Sequence, residues 1–117
     1  MRLVAAVAGA FALLLGVWAF FAPASFFRQI AHFPPYNRHL IHDIGAFNIG
    51  LGMVLLLALT WVDSLAAALA GTAVGAIFHF VAHVVDHNLG GRAADPVSLG
   101  IFAAVIALAA LWRVKRT

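Results

Sequence analysis

One stretch of the sequence, RHLIHDIGAFNIGLGMVLLLALTWVDSLAAALAGTAVGAIFHFVAHVVDH at Arg38–His87, decides the fold. It holds two apolar runs divided at Val62 and Asp63, and each is close to the roughly 20 residues that a helix needs to cross a membrane. Since lipid cannot satisfy unpaired backbone groups, helices are the form expected for both runs. The short break predicts an antiparallel hairpin, in which residues whose numbers sum to about 125 lie at equal depth because both helices rise by about 1.5 Å per residue.

The composition extends this interpretation to the whole chain. Of its 117 residues, 65% are hydrophobic and 9% are charged, whereas about a quarter of the residues in a soluble domain carry a charge. Two further apolar runs flank the hairpin, so spans are expected over approximately residues 3–22, 38–61, 64–87 and 96–114. The predicted fold class is all-α: an integral membrane four-helix bundle, formed by a single transmembrane domain over residues 1–117.

Residues that start and stop helices support these boundaries. Pro23 ends the first run, while Asn37 and either Asp63 or Ser64 are suitable N-caps for the second and third helices. Between the first two runs, residues 25–33 (SFFRQIAHF) place apolar and polar side chains on opposite faces. This pattern predicts a short interfacial helix that lies on the membrane surface.

Four of the glycines in the predicted hairpin are expected to matter for packing. Gly50 and Gly52 belong to its first helix and Gly71 and Gly75 to its second, the latter two at small-xxx-small spacing. Glycine lets two backbones approach closely, so all four are expected to be helix-packing positions.

Histidines and aspartates gather at one end of this hairpin. The first helix opens with His39, His42 and Asp43 at i, i+3 and i+4, which places them on one face. The end of the second helix carries polar residues at a similar repeat. The two facing stripes comprise His39, His42, Asp43, His79, His83, Asp86 and His87. Because His42 and His83 lie at equal depth, they are expected to be the central pair.

A bound metal explains why such groups lie in an apolar helix. A charged residue at the centre of a span costs about 2.5 to 3.5 kcal/mol on insertion scales, and a cation satisfies several imidazoles and carboxylates together. The residues of both stripes are therefore metal-ligand candidates, with Asp43, Asp86 and His87 either ligating or orienting an imidazole. The chain has no cysteine and two methionines, so zinc, iron or copper(II) fits better than copper(I). The candidate ligands are enough to fill either one tetrahedral metal site or two metal positions, and both alternatives are kept.

The same residues also have simpler structural explanations. Asp43 and Asp86 could be paired with Arg38 and Arg92 near the membrane surface. His32, on the predicted surface segment, is expected to be structural.

Charge predicts the orientation and excludes one class of partner. An even number of spans leaves both termini on one side, where four of the seven basic residues also lie. The positive-inside rule then places the termini in the cytoplasm and the histidine cluster at the opposite face. No basic stripe with interleaved aromatic residues is present in the sequence, which argues against nucleic-acid binding.

In architecture the chain resembles the small four-helix bacterial membrane proteins grouped around DoxX. The segments GVWAFFAPASFF (residues 16–27) and RHLIHDIGAFNIGLGMVLLLAL (residues 38–59) carry this resemblance. It implies a multi-pass bundle in the bacterial inner membrane, in a group sometimes associated with quinol or thiol oxidation. The histidine stripes are not part of that general pattern, so the group's activity is not carried over.

A second resemblance concerns spacing alone. The patterns HxxHD from His39, HxxxH from His79 and HxxDH from His83 are similar to the histidine boxes of membrane di-iron hydroxylases and desaturases. Those boxes have paired histidines where this sequence has HD and DH. The similarity therefore implies a shared ligand logic rather than membership of that group.

These observations lead to one main hypothesis and two alternatives. The main hypothesis is a metal site between the second and third helices that serves redox chemistry on a lipophilic substrate. The first alternative is a non-catalytic subunit of a larger membrane complex or homo-oligomer. The second is a haem or other tetrapyrrole protein, which the close-packing glycines disfavour because a macrocycle needs a wide slot between helices.

Reporter fusions test the predicted topology. Fusions at Arg116 and near Asp63 should report the same compartment, and a fusion near Gly91 the opposite one, because an even number of spans separates the first two sites. If the fusions near Asp63 and Gly91 reported one side, the hairpin and its facing stripes would both be ruled out.

Overall fold

The computed structural model describes residues 2–31, 34–89 and 92–116, which are almost entirely helical and contain no strand. This confirms the all-α prediction. A π-helical turn over Phe27–Ala31 follows the second helix. The α-helices are α1 (Arg2–Phe21), α2 (Pro23–Phe26), α3 (Arg38–Thr60), α4 (Ser64–Val85) and α5 (Asp95–Val114).

The long helices pack as a row in the order α1, α3, α4, α5. The Cα atoms extend over 45 × 34 × 15 Å, so the row is a layer about one helix thick. Large apolar side chains are consequently exposed along it, including Phe11, Phe47 and Leu108. A layer that exposes so much apolar surface is typical of a protein surrounded by lipid rather than water.

Length and composition identify the helices that could cross a membrane. Three of the described helices qualify by themselves, namely α3, α4 and α5. A fourth span is added if Ala5–Phe21 is counted together with Pro23–Ala31, although the chain bends by 115° between these two segments. These helices indicate a membrane protein.

Close backbone contact sets the register of α3 on α4. A Cβ atom built on Gly75 would lie 2.9 Å from the Gly50 Cα atom, and one on Gly71 would lie 2.5 Å from the Val54 nitrogen. Both pairs of numbers sum to 125, so the predicted hairpin register and the packing roles of these glycines are confirmed.

The contact between α1 and α3 is equally close and also depends on glycine. A Cβ atom on Gly52 would lie 2.7 Å from the Leu13 nitrogen, and one on Gly16 would lie 2.6 Å from the Ile49 nitrogen. The role of Gly52 was predicted, but its partner helix was not, because spacing within one helix does not identify the neighbour.

Polar contacts fasten the end of the layer that carries both termini. The Asp63 carboxylate accepts hydrogen bonds from the Leu65 and Ala66 amides, which confirms it as the cap of α4. It also accepts a 2.7 Å hydrogen bond from Arg113 Nε at the end of α5. Arg2 donates to the Leu59 carbonyl at 2.8 Å, so both termini lie beside the turn between α3 and α4.

The opposite end is shaped by the segment after α1. Phe26 is buried, and its ring meets the Trp18 ring edge-on at 5.7 Å, while Trp18 Nε1 donates to Ser25 Oγ. A helical segment does follow the first long helix, as predicted, and Asn37 caps α3 by accepting from the Leu40 amide. His32, expected to be structural, lies outside the described residues.

Adding a methyl group at Gly52 should loosen the row. The Gly52→Ala Cβ atom would meet backbone atoms of α1, so α1 and α3 would have to separate, at a cost of about 1 to 3 kcal/mol. Gly100→Ala is the matched control, because the three atoms nearest its Cβ belong to the Phe80 ring, a side chain that can move, rather than to a backbone. We expect a lower melting temperature in detergent for Gly52→Ala and an unchanged or higher one for Gly100→Ala. Equal melting temperatures would contradict the packing role.

The Asp63 carboxylate should make stability depend on pH. The hydrogen bond from the Ala66 amide lowers the pKa of Asp63 from its ordinary value, and the Arg113 guanidinium lowers it further. Together these effects outweigh partial desolvation, which raises the pKa. Its stabilising contribution is therefore fully present above the ordinary aspartate pKa of about 3.9 and is lost as the pH falls through the lowered value. Asp63→Asn keeps a capping side chain and removes the charge. The variant should melt below the wild type at pH 7, and the difference should shrink on acidification to pH 3; a difference independent of pH would contradict this role.

Candidate metal centre

Asp86 organises the polar end of the α3–α4 pair. It follows the last turn of α4 and is 1% exposed. Arg38 Nε donates to Asp86 Oδ1 at 2.9 Å, and His42 Nδ1 lies 2.5 Å from Asp86 Oδ2. The ion pair between Arg38 and Asp86 weighed from the sequence is thus present. It joins the first turn of α3 to the end of α4 and fixes how far the two helices overlap.

Three side chains beside this network form a group that could hold a metal ion. His39 and Asp43 stand one turn apart on α3, and His83 faces them from α4. Each offers a ligand atom, and the three atoms lie within 4.8 Å of one another. The His39 and His83 rings meet at right angles with their centroids 4.4 Å apart. We call these three residues the His/Asp triad.

Two atoms of the triad are buried without a hydrogen-bond partner, His39 Nδ1 and Asp43 Oδ1. Their nearest ionisable neighbours are Asp86 Oδ2, at 3.5 Å from His39 Nδ1, and His79 Nε2, at 3.4 Å from Asp43 Oδ1. Buried polar atoms are normally paired, because leaving one unpaired costs about 1 to 3 kcal/mol. An unpaired carboxylate oxygen next to two imidazoles is therefore a place where a cation would be stabilised.

His79 extends the triad toward the middle of α4. Its ring centroid lies 4.9 Å from that of His83, and its side chain is 41% exposed. Its Nε2 atom lies 3.4 Å from Asp43 Oδ1, so His79 stands next to the triad without being one of its three members.

The structure separates the other predicted ligands from the triad. His42 is 8% exposed and lies between Asp86 and the ring of Phe20 on α1, whose centroid is 5.0 Å away. His87 is exposed, and its Nδ1 atom lies 3.1 Å from the Val84 carbonyl oxygen. The reason is helical geometry. Residues at i and i+3 differ by about 60° around the axis, and α3 has neighbours on two sides. His42 therefore lies between Phe20 of α1 and Asp86 after the last turn of α4, while His39 faces His83 of α4.

A groove of about 500 Å³ begins at the triad and follows α3 and α4 toward their other ends. Its polar end is formed by Asp43 and His79. The rest of its lining is apolar except for one threonine: Ala46, Phe47, Gly50, Leu51, Val54, Thr72, Gly75, Ala76 and Phe102. The sequence analysis did not predict this groove. The only signal for it was the alignment of small residues on both helices, which was interpreted as packing alone.

Comparison with family models, curated proteins and solved structures returned no match for this chain. The site is therefore interpreted from its own geometry: two imidazoles and one carboxylate are contributed by two helices, and the carboxylate also lines the polar end of an apolar groove.

Proposed function

We propose that this chain is a multi-pass membrane metalloprotein whose ion is held by His39, Asp43 and His83. Two observations carry this proposal: ligand atoms of the three residues converge within 4.8 Å of one another, and Asp43 Oδ1 is buried without a hydrogen-bond partner. A cation at that point would satisfy the oxygen and both imidazoles together.

The donor set narrows the choice of metal. Two histidines and one carboxylate are the ligands of non-haem iron oxygenases and of several zinc enzymes, and in both they leave positions open for water or substrate. Iron is the ion we favour, with zinc and copper(II) as the other options. The close contact between Gly50 and Gly75 leaves no slot between α3 and α4 for a tetrapyrrole, so haem is not part of the proposal.

The network around Asp86 would support the ligands. Asp86 Oδ2 lies 3.5 Å from His39 Nδ1, and Arg38 and His42 hold the carboxylate from the other side. A carboxylate behind a ligating imidazole fixes its tautomer and raises its basicity. In this arrangement His42 acts through Asp86 rather than on the metal.

The surroundings of the site favour one face of the membrane and one class of substrate. The termini and the triad lie at opposite ends of the layer, so cytoplasmic termini would place the metal near the non-cytoplasmic face of a bacterial inner membrane. We also propose that the chain belongs to the DoxX-like group, whose four-helix architecture is similar to this one. The apolar groove beside the triad favours a lipophilic substrate, on which an iron site would perform redox chemistry.

Metal content tests the proposal. Purified wild-type protein, reconstituted separately with iron, zinc and copper, should bind one of them stoichiometrically, as measured by elemental analysis. His39→Ala, His83→Ala and Asp43→Asn should each weaken binding by more than the roughly 10- to 100-fold that loss of a supporting residue typically causes. His42→Ala should fall within that smaller range.

His87→Ala is the control, because His87 lies at the same end of α4 but is exposed and near a backbone carbonyl. Its metal content should equal that of the wild type. A wild-type protein that binds none of the three metals would leave the accessory-subunit hypothesis as the better explanation. Equal losses in all variants, the control included, would show that the metal is not held by the triad.

A further inference from the structure

We propose that the groove binds a long-chain carboxylate, an inference that rests on the proposed metal site. The carboxyl group of this ligand would bind the ion, and its alkyl chain would lie between α3 and α4. Of the triad, Asp43 alone lines the groove, next to His79, so Asp43 is the point at which a ligand in the groove would meet the ion.

The dimensions of the groove fit one alkyl chain. Val54 follows Asp43 by eleven residues in α3, which corresponds to about 16 Å along the helix. An extended alkyl chain advances about 1.25 Å per carbon, so about a dozen carbons span this distance. Thr72 lies at the depth of Val54 and marks the far end of the groove.

The walls suit a chain without branches. Gly50 and Gly75 form a floor where the two backbones touch, and Ala46 and Ala76 continue it with single methyl groups. Bulkier side chains rise beside this floor from α3 and α5, among them Phe47 and Phe102. A strip of small residues between larger ones accommodates a flexible chain.

Charge selects the head group. A divalent ion bound by one carboxylate and two neutral imidazoles retains one positive charge and has open coordination positions. A ligand carboxylate would neutralise that charge. Without the ion, the Asp43 carboxylate would repel the same head group, so binding of the carboxylate should require the metal, whereas binding of the corresponding alcohol should not.

Position-specific photolabelling tests this inference. The full-length protein, loaded with metal in phosphatidylcholine nanodiscs, is irradiated with dodecanoate carrying a diazirine either near its methyl end or near its carboxyl group. Mass spectrometry of the peptides locates the label. The methyl-end probe should mark Val54 and Thr72, and the carboxyl-end probe should mark Phe47 and Ala76. Removal of the metal should abolish both patterns, and the analogous dodecanol probes should label with or without it.

Two variants and a control make the result specific. Ala76→Phe fills the middle of the groove and should lower labelling by dodecanoate by about tenfold or more, whereas Ala104→Phe, the same change at an exposed position of α5, should leave it unchanged. Thr72→Phe fills only the far end, so it should reduce labelling by dodecanoate and spare an octanoate analogue. Metal content measured on each preparation reports whether the site has formed.

The outcomes separate this inference from the proposed function. Label spread over α1 and over α5 positions away from Phe102, in a protein that binds metal, would overturn the groove and leave the metal site standing. Groove labelling by dodecanoate that persists unchanged without metal would overturn the placement of the carboxyl group. Absence of metal from the wild type would overturn the proposed function and this inference with it.

Discussion

The contact between the backbones of α3 and α4 at Gly50 and Gly75 is the constraint on which the rest of the structure depends. Because neither residue has a Cβ atom, the helices approach until the chains touch. Van der Waals contact of this kind drives helix association in lipid, where the hydrophobic effect between helices is absent. The contact fixes the register, and the register brings His83 of α4 opposite His39 and Asp43 of α3.

The polar groups at the end of this helix pair fall into two sets with different roles. Asp86 is buried and fully engaged by Arg38 and His42, so it fastens the two helices together. The triad beside it keeps two buried atoms without hydrogen-bond partners. The buried carboxylate of Asp86 is fully satisfied, whereas the neighbouring Asp43, whose side chain is 31% exposed, keeps one buried oxygen without a hydrogen bond beside the imidazoles of His39 and His79. That contrast, rather than the number of histidines, is the basis for a metal site.

The groove has the same origin as the helix contact. Glycine and alanine let α3 and α4 touch along a narrow line, and the larger residues on either side then stand above that line as walls. A side chain added at Gly50 or Gly75 would push the helices apart, which would separate His83 from His39 and Asp43. Packing, groove and triad are therefore coupled, and the layer, one helix thick, leaves the groove open on its lipid-facing side.

The sequence by itself determined the helices, their approximate ends and the hairpin register. Apolar run length and capping residues such as Asn37 and Asp63 act locally, and the short break after α3 leaves only an antiparallel return. The sequence also placed the histidines, with Asp43 and Asp86, at one end of that hairpin. Only the tertiary structure decided which of them meet. His42 lies between Phe20 of α1 and Asp86, whereas His39 faces His83 of α4, and the sequence does not specify on which sides α3 has neighbours. The groove likewise arises from side chains of three helices, and the distances between helices are set by packing rather than by the pattern within any one of them.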